Sequence, residues 1–371
     1  MSPLPPLILQ AFLHPESLSA LAPAQWDLLV RQARRANILG KLAVDLEARG
    51  GIGEILAAAR PHLLSAAAIA HQQGRAVQWE TRCIHEALAP TGVPVILLKG
   101  AAYVMSGLPT CHGRVFSDVD ILVPKESITE VETALAINGW TGSDHSAYDQ
   151  RYYRKWMHEI PPMHHRRRGT VIDVHHAILP ETARIKVDTA ALWQALVALP
   201  GYDNLYVLQP IDMVLHSATH LFHEGELHNG LRDLFDLDSL LRHFGQTAGF
   251  WAAIVPRARQ LGLERPLYYA LRYTRLLLET PIPQTVIDAT PSPSAPVRSI
   301  MDFCYSKALR PAHASCADSR TPLARLALYI RSHWLRMPLF LLAYHLTRKT
   351  LTKEGRGSSK RDKVVDGQPA T

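Results

Sequence analysis

The chain has little sulfur chemistry to offer. Its 371 residues include 4 cysteines, Cys83, Cys111, Cys304 and Cys316, and no two of them stand as Cys-x-x-Cys. Neither a zinc knuckle nor a redox dithiol is indicated, and free thiols in a reducing cytosol are the simplest account. Long apolar runs are missing as well. No stretch reaches the ~18–20 uninterrupted apolar residues of a membrane span. The first residues lack a basic region followed by a sustained apolar run, so no signal peptide is expected. Internal repeats are absent from the sequence. Its basic patches carry no interleaved aromatics, which argues against specific nucleic-acid binding.

What is present fits a globular chain. Hydrophobic residues make up 47% and charged residues 20%, an ordinary balance for a packed, water-facing protein. The length predicts about two domains. A net charge of +7 suits an anionic or phosphate-bearing partner, and equally suits solubility alone. Much of it sits in Arg166-Arg167-Arg168 and at the C-terminal end. That arginine run is read first as a solvated turn and second as a clamp for an anionic acceptor.

Taken in order, residues 1–92 read as three or four helices. Trp26, Leu29, Val30 and Ala33 recur at helical spacing, and Ile55 to Leu88 is rich in good helix formers, with Pro61 in a break or a first turn. Residues 93–123 read as two strands and a polar connection. Lys125 to Asn138 reads as a helix stopped by Gly139, and Trp140 to Ser146 as a loop or short strand. Residues 150–180 look like a hairpin turning at His164 to Gly169, with Pro161-Pro162 marking an edge or bulge. Residues 188–285 return to helix, and Gly225 and Asn229-Gly230 divide Ile211 to Phe244 into two. Pro281 to Pro296 reads as a linker or surface loop, and 300–348 as helix. Met337 to Tyr344 is the most apolar run, expected as a core helix, with peripheral membrane contact as the alternative. The tail is expected to be disordered. The division is 1–92 helical, 93–185 a core, 186–350 helical and 351–371 tail.

The chemistry concentrates in Val93 to Val123. An apolar run ends in Lys99-Gly100, and a second run carries Ser117-Asp118-Val119-Asp120-Ile121. Strand side chains alternate, so Asp118 and Asp120 share a face while Val119 and Ile121 turn into a core. Adjacent carboxylates repel unless a cation lies between them, and Mg²⁺ takes oxygen ligands of this kind. Asp-x-Asp alone reads as a solvated strand end. Further on, Thr170-Val171-Ile172-Asp173-Val174-His175 is a β-branched strand with an acid inside it. Such an acid is costly to bury unless paired or metal-bound, which makes Asp173 the third carboxylate.

Lys-Gly after a strand, the Ser-Asp-x-Asp-Ile-Leu-Val strand and the later Val-Ile-Asp-Val-His-His segment resemble the uncharacterised nucleotidyltransferase family of the DNA polymerase beta superfamily. So do Leu215-His216-x-x-x-His220 and Leu231-Arg232-Asp233-Leu234-Phe235-Asp236-Leu237. The resemblance runs from about Trp26 to His345. The superfamily usually has Gly-Ser or Gly-Gly nearer the Asp strand, where this chain has Lys99-Gly100. The resemblance implies an α+β fold: a polymerase-beta-like core, a short mixed sheet with helices, flanked by N-terminal and C-terminal helical regions. It also implies that Asp118, Asp120 and Asp173 hold two Mg²⁺ ions, with Mn²⁺ as the substitute. A nucleoside monophosphate would pass from an NTP, ATP foremost, to an unknown acceptor hydroxyl on a small molecule, sugar or protein, with release of pyrophosphate.

Other residues take roles within that reading. Lys99 would meet the triphosphate as a point charge, Gly100 would let backbone approach a phosphate, Arg114 would fork onto phosphate oxygens, and Ser117 would hydrogen-bond a phosphate or cap the turn. His175, His220 and Arg232 are candidates for the acceptor pocket or its surroundings, with ion pairing expected for Arg232, Asp233 and Asp236. Two rivals stand beside this. One is a catalytically silent nucleotide- or partner-binding module on the same fold. The other is a metallohydrolase using His216, His220 and His223, which share one helix face at a spacing able to hold Zn²⁺. The protein is expected in the cytoplasm.

Overall fold

The computed structural model describes residues 6–51, 55–142, 157–223 and 225–336. Several sequence readings fall wholly or partly outside them: the end of the stretch 140–146; the start of the expected hairpin 150–180; the end of the expected helix 300–348, with the apolar run 337–344; and the tail 351–371.

The front of the chain forms α1 (Leu7–Leu13), α2 (Pro23–Arg35), α3 (Leu39–Ala48) and α4 (Arg60–Leu88). Pro23 sits in the first turn of α2, where the missing N–H costs nothing. The predicted stripe of Trp26, Leu29, Val30 and Ala33 is buried; a large apolar side chain so placed contributes roughly 1.5–3 kcal/mol. Pro61 occupies the first turn of the 29-residue α4. Gly113, with φ at 70°, lies against α3, where a Cβ would stand 2.5 Å from the Gly40 carbonyl oxygen. That backbone-to-backbone contact fixes the loop leading to Arg114.

The sheet begins with β1 (Val95–Leu97), followed by α5 (Lys99–Met105), β2 (Val119–Leu122) and α6 (Ile128–Ile137). Gly139, with φ at 100°, follows α6 as a left-handed stop. Then come β3 (Trp140–Gly142), β4 (Met163–His165) and β5 (Val171–His175). A short α7 (Thr189–Trp193) leads to β6 (Leu196–Ala198) and β7 (Leu205–Leu208). These strands make one seven-stranded sheet in the order β3-β4-β5-β2-β1-β7-β6. It is mixed: β2 runs parallel to β5 and β1 parallel to β7, while the other pairs are antiparallel.

The remaining described residues form helices: α8 (Pro210–His223), α9 (Gly230–Phe244), α10 (Phe250–Gln260), α11 (Glu264–Leu278), α12 (Gln284–Ala289), α13 (Ala295–Ala308) and α14 (Thr321–Arg336). One apolar cluster runs through all of this, from Ile8 to Leu328. No helix among the described residues is long and apolar enough to cross a membrane.

Three local expectations are corrected. The connection after β1 contains the helix α5, because Ala101, Ala102, Tyr103 and Val104 bury its faces. The stretch after residue 188 is not all helix: β6 and β7 form a hairpin that extends the sheet. Leu205–Leu208 is apolar enough to lie beside β1, pairing Val95 with Leu205 and Leu97 with Val207. The proline-rich stretch 281–296 holds α12 and the start of α13, with Pro296 in a first turn, a position that suits proline.

Candidate active site

The parallel pairing of β2 and β5 sets Asp120 directly opposite Asp173. Val119 and Ile121 turn to the other side and are buried, as are Ile172 and Val174. Strand alternation thus puts the acids on one face and the apolar residues on the other. Asp118 precedes β2 and is half-buried.

Asp120 is 5% exposed. Its Oδ1 accepts hydrogen bonds from Lys99 Nζ at 2.9 Å and from His175 Nε2 at 3.1 Å, with the imidazole proton on Nε2. Lys99 stands at the exit of β1 with φ at 45°. That left-handed conformation costs a non-glycine residue roughly 1–2 kcal/mol, and such strain gathers at functional sites. Burial alone would raise the Asp120 carboxyl, but Lys99 and His175 outweigh it and hold the group well below the usual carboxylate range. The reciprocal holds for Lys99: burial pulls its ammonium down, and Asp120 more than restores it. His175 likewise ends above its ordinary value, since its bond to Asp120 and the charge of Glu159 overcome burial.

Asp173 has no such relief. Burial first, then repulsion from Asp120, Asp118 and Glu159, raises its carboxyl to about 7. Its Oδ1 is enclosed and has no hydrogen-bond partner. A buried acceptor left in this state is costly, and a hard divalent cation beside three carboxylates would satisfy it. The donor set therefore fits Mg²⁺ in charge and chemistry. It is not a closed cage. Among the described residues, the metal-donor atoms that gather within 4.8 Å of one another belong to His158, Glu159 and His175, not to the three aspartates.

A cleft of about 370 Å³ opens beside Asp120. Lys99, Gly100, Arg114, Ser117, Asp118 and Asp120 form its sheet side, and Ser217, His220, Arg232, Asp233 and Asp236 form its helix side. Asp173 and His175 do not line it; both meet it through Asp120.

Several expected residues already have protein partners. Arg114 is nearly buried, donates from Nε to Asp236 Oδ2 at 2.8 Å, and packs its guanidinium 4.9 Å from the Phe116 ring centroid. Gly100 is glycine because a Cβ would stand 2.7 Å from Arg114 Nη1 and 2.8 Å from the Phe116 ring, so the chain's own side chains fill that side of it. Ser117 donates to Asp118 Oδ1 at 3.0 Å. Arg232 binds Asp233 Oδ1 through Nε at 2.9 Å and Nη2 at 2.8 Å. The arginine run, Arg166, Arg167 and Arg168, is exposed throughout, as a solvated turn would be, and Arg168 also donates to Glu80 at 2.9 Å and lies over the Trp140 ring.

The helix histidines on α8 do not bring their nitrogens together as metal donors. Burial first, and then the Lys99 charge, drives His216 down to about 3 and His220 well below its ordinary range, so both are neutral. His223 is brought down to about 4 by burial and by Arg331, and its Nδ1 donates to the Thr219 carbonyl. His158 and Glu159 are the residues that sequence reasoning missed. A signal existed: a His-Glu pair just before Pro161-Pro162, set to face the Asp173–His175 strand across the hairpin.

With this geometry in place, the comparisons with known proteins are direct. The chain belongs to the family described as uncharacterised nucleotidyltransferases, whose sequence model matches residues 22–279. General nucleotidyl transfer is the class of activity that follows. No curated protein matches the chain. One solved structure, an antigenic nucleotidyltransferase-like protein from Paracoccidioides brasiliensis, is similar at 15% identity over 55% of this chain and 92% of its own, with a TM-score of 0.26. At that score the likeness carries no argument about this fold.

Proposed function

We propose that the protein is a Mg²⁺-dependent nucleotidyltransferase. It moves a nucleoside monophosphate from an NTP, ATP foremost, to an acceptor hydroxyl and releases pyrophosphate. The observation that carries this reading is the register of Asp120 against Asp173, with one Asp173 oxygen buried and unpartnered. Asp118, Asp120 and Asp173 would hold the metal, which when bound neutralises the triphosphate and steadies the attacking and leaving oxygens.

The chain's own groups do the rest. Lys99 is a cation already at the carboxylates and can turn to a phosphate as a point charge. Asp173, whose carboxyl is raised in the metal-free chain by burial and the neighbouring acids, would as a metal-bound carboxylate help an acceptor hydroxyl lose its proton. The α9 N-terminus, at Asn229 and Gly230, opens on the same cleft, and its dipole favours an anion there. All four cysteines are free, in keeping with a reducing, cytoplasmic setting. The acceptor class is open to a small molecule, a sugar or a protein side chain.

The test is to incubate the protein with each labelled NTP, Mg²⁺ and cell extract and to follow the label. Transfer by the wild type that disappears in Asp118→Asn and Asp173→Asn supports the reading. Unchanged transfer in both variants refutes it.

A further inference from the structure

We propose that His158, Glu159 and His175 form a binding site for a divalent transition metal, with Zn²⁺ as the first to try, separate from the aspartate set. Their donor atoms lie within 4.8 Å of one another. His175 Nδ1 is 3.4 Å from Glu159 Oε2, and the two imidazole rings have centroids 5.4 Å apart. The set is two imidazole nitrogens and one carboxylate oxygen. That combination suits zinc and its neighbours, whereas Mg²⁺ prefers oxygen alone.

The site is built rather than accidental. Its two segments are tied together by backbone: the His176 amide donates to the His158 carbonyl at 2.8 Å, and the Ile160 amide to the Val174 carbonyl at 3.0 Å. Glu159 itself pairs with His175 as an antiparallel bridge. Side-chain placement therefore follows from the strand end. His158 Nδ1 is enclosed and has no hydrogen-bond partner, a costly state for a buried polar nitrogen.

The site also reaches the cleft. His175 Nε2 is 3.1 Å from Asp120 Oδ1. With Nδ1 on a metal, Nε2 must carry the proton and donate it to Asp120. A carboxylate behind a metal-bound histidine is the usual way such a ring is oriented. Metal at this site would therefore lock the tautomer of His175 and the orientation of Asp120.

The test uses the full chain, stripped of metal and titrated with ZnCl₂ by calorimetry in excess Mg²⁺, with Co²⁺ absorption as a second readout of nitrogen ligation. One Zn²⁺ per chain is expected, insensitive to Mg²⁺ and unchanged in Asp118→Asn. His158→Ala should weaken it by about 100-fold, and Asp120→Asn, which weakens the acceptor behind His175, by about 10-fold. Glu159→Gln, nearly the same shape, should also weaken it and guards against a folding defect in the alanine variant. Absence of Zn²⁺ binding in excess Mg²⁺, equal binding by His158→Ala and Glu159→Gln, or loss of binding in Asp118→Asn would each overturn the proposal. None of these readouts depends on nucleotidyl transfer.

Discussion

The two walls of the cleft treat charge in opposite ways. On the helix wall the two aspartates each have an arginine: Asp236 with Arg114 at 2.8 Å and Asp233 with Arg232 at 2.8 Å. On the sheet wall Asp118, Asp120 and Asp173 lie near one another, and Lys99 and His175 both donate to one atom, Asp120 Oδ1. Asp173 is left over, with its carboxyl raised to about 7. The difference separates architecture from chemistry. A self-neutral wall holds shape, while a wall with surplus negative charge has room for a cation.

Breaking the sheet wall should give the largest effect. Asp118→Asn is expected to reduce transfer by about 10³-fold or more, the scale of losing a charge-stabilising group in phosphoryl-type transfer. Stability should stay within about 0.5 kcal/mol, as for a surface change, because Asp118 is only half-buried. Asp120→Asn is a poorer tool, since it also strips Lys99 and His175 of their partner. Urea unfolding and a transfer assay on one preparation check both parts.

Breaking the helix wall should cost stability. Arg114→Met leaves Asp236, whose side chain is 7% exposed, buried without a counter-charge. A loss of about 3–5 kcal/mol is expected in urea unfolding. If the loss is under 1 kcal/mol, the helix wall is not the structural half. Gly100→Ala presses on the Arg114–Asp236 pair from the sheet side, where the new Cβ meets Arg114 and Phe116. Overpacking of this kind costs roughly 1–3 kcal/mol, which a thermal melt would read.

The smallest effect sharpens the comparison most. The Asp173 carboxyl titrates at about 7 in the folded chain against an ordinary value of 3.8. Between those values the folded chain holds a proton that the unfolded chain has released, so stability falls as pH rises through the window. Above about pH 7 the penalty is complete. Asp173→Asn should therefore stabilise the metal-free protein by about 1–2 kcal/mol at about pH 8, with no gain near pH 4. Equal melting temperatures for variant and wild type at high pH would show that the surplus charge is not felt.

Much of the sheet wall was legible in the sequence, because it depends on local alternation. Asp118 and Asp120 two apart, and Asp173 within Val-Ile-Asp-Val-His, declare their shared face without knowledge of the fold. The hairpin turn before β5 and the break between α8 and α9 were legible for the same reason. The helix wall was harder. Arg114 finds Asp236 across 122 residues of sequence, and no spacing rule links them, so Arg114 read as free for phosphate. Gly100 read as making room for a ligand, whereas its neighbours are Arg114 and Phe116. β6 and β7 were hidden because three or four residues between helices carry too short a pattern, even with Pro200-Gly201 at the turn. The evenly spaced histidines of α8 offered a regular signal and do not converge. His158 and His175, on separate segments, do.

The place of β1 in the sheet has a consequence for how the chain is made. Its partner β2 follows closely, but its other partner, β7, begins at Leu205. Until the ribosome has delivered that residue, Val95–Leu97 presents a bare, fully apolar edge. Such an edge invites pairing with another nascent chain. Slow translation between β5 and β7 would therefore favour aggregation, and synthesis of the β6–β7 hairpin closes that hazard.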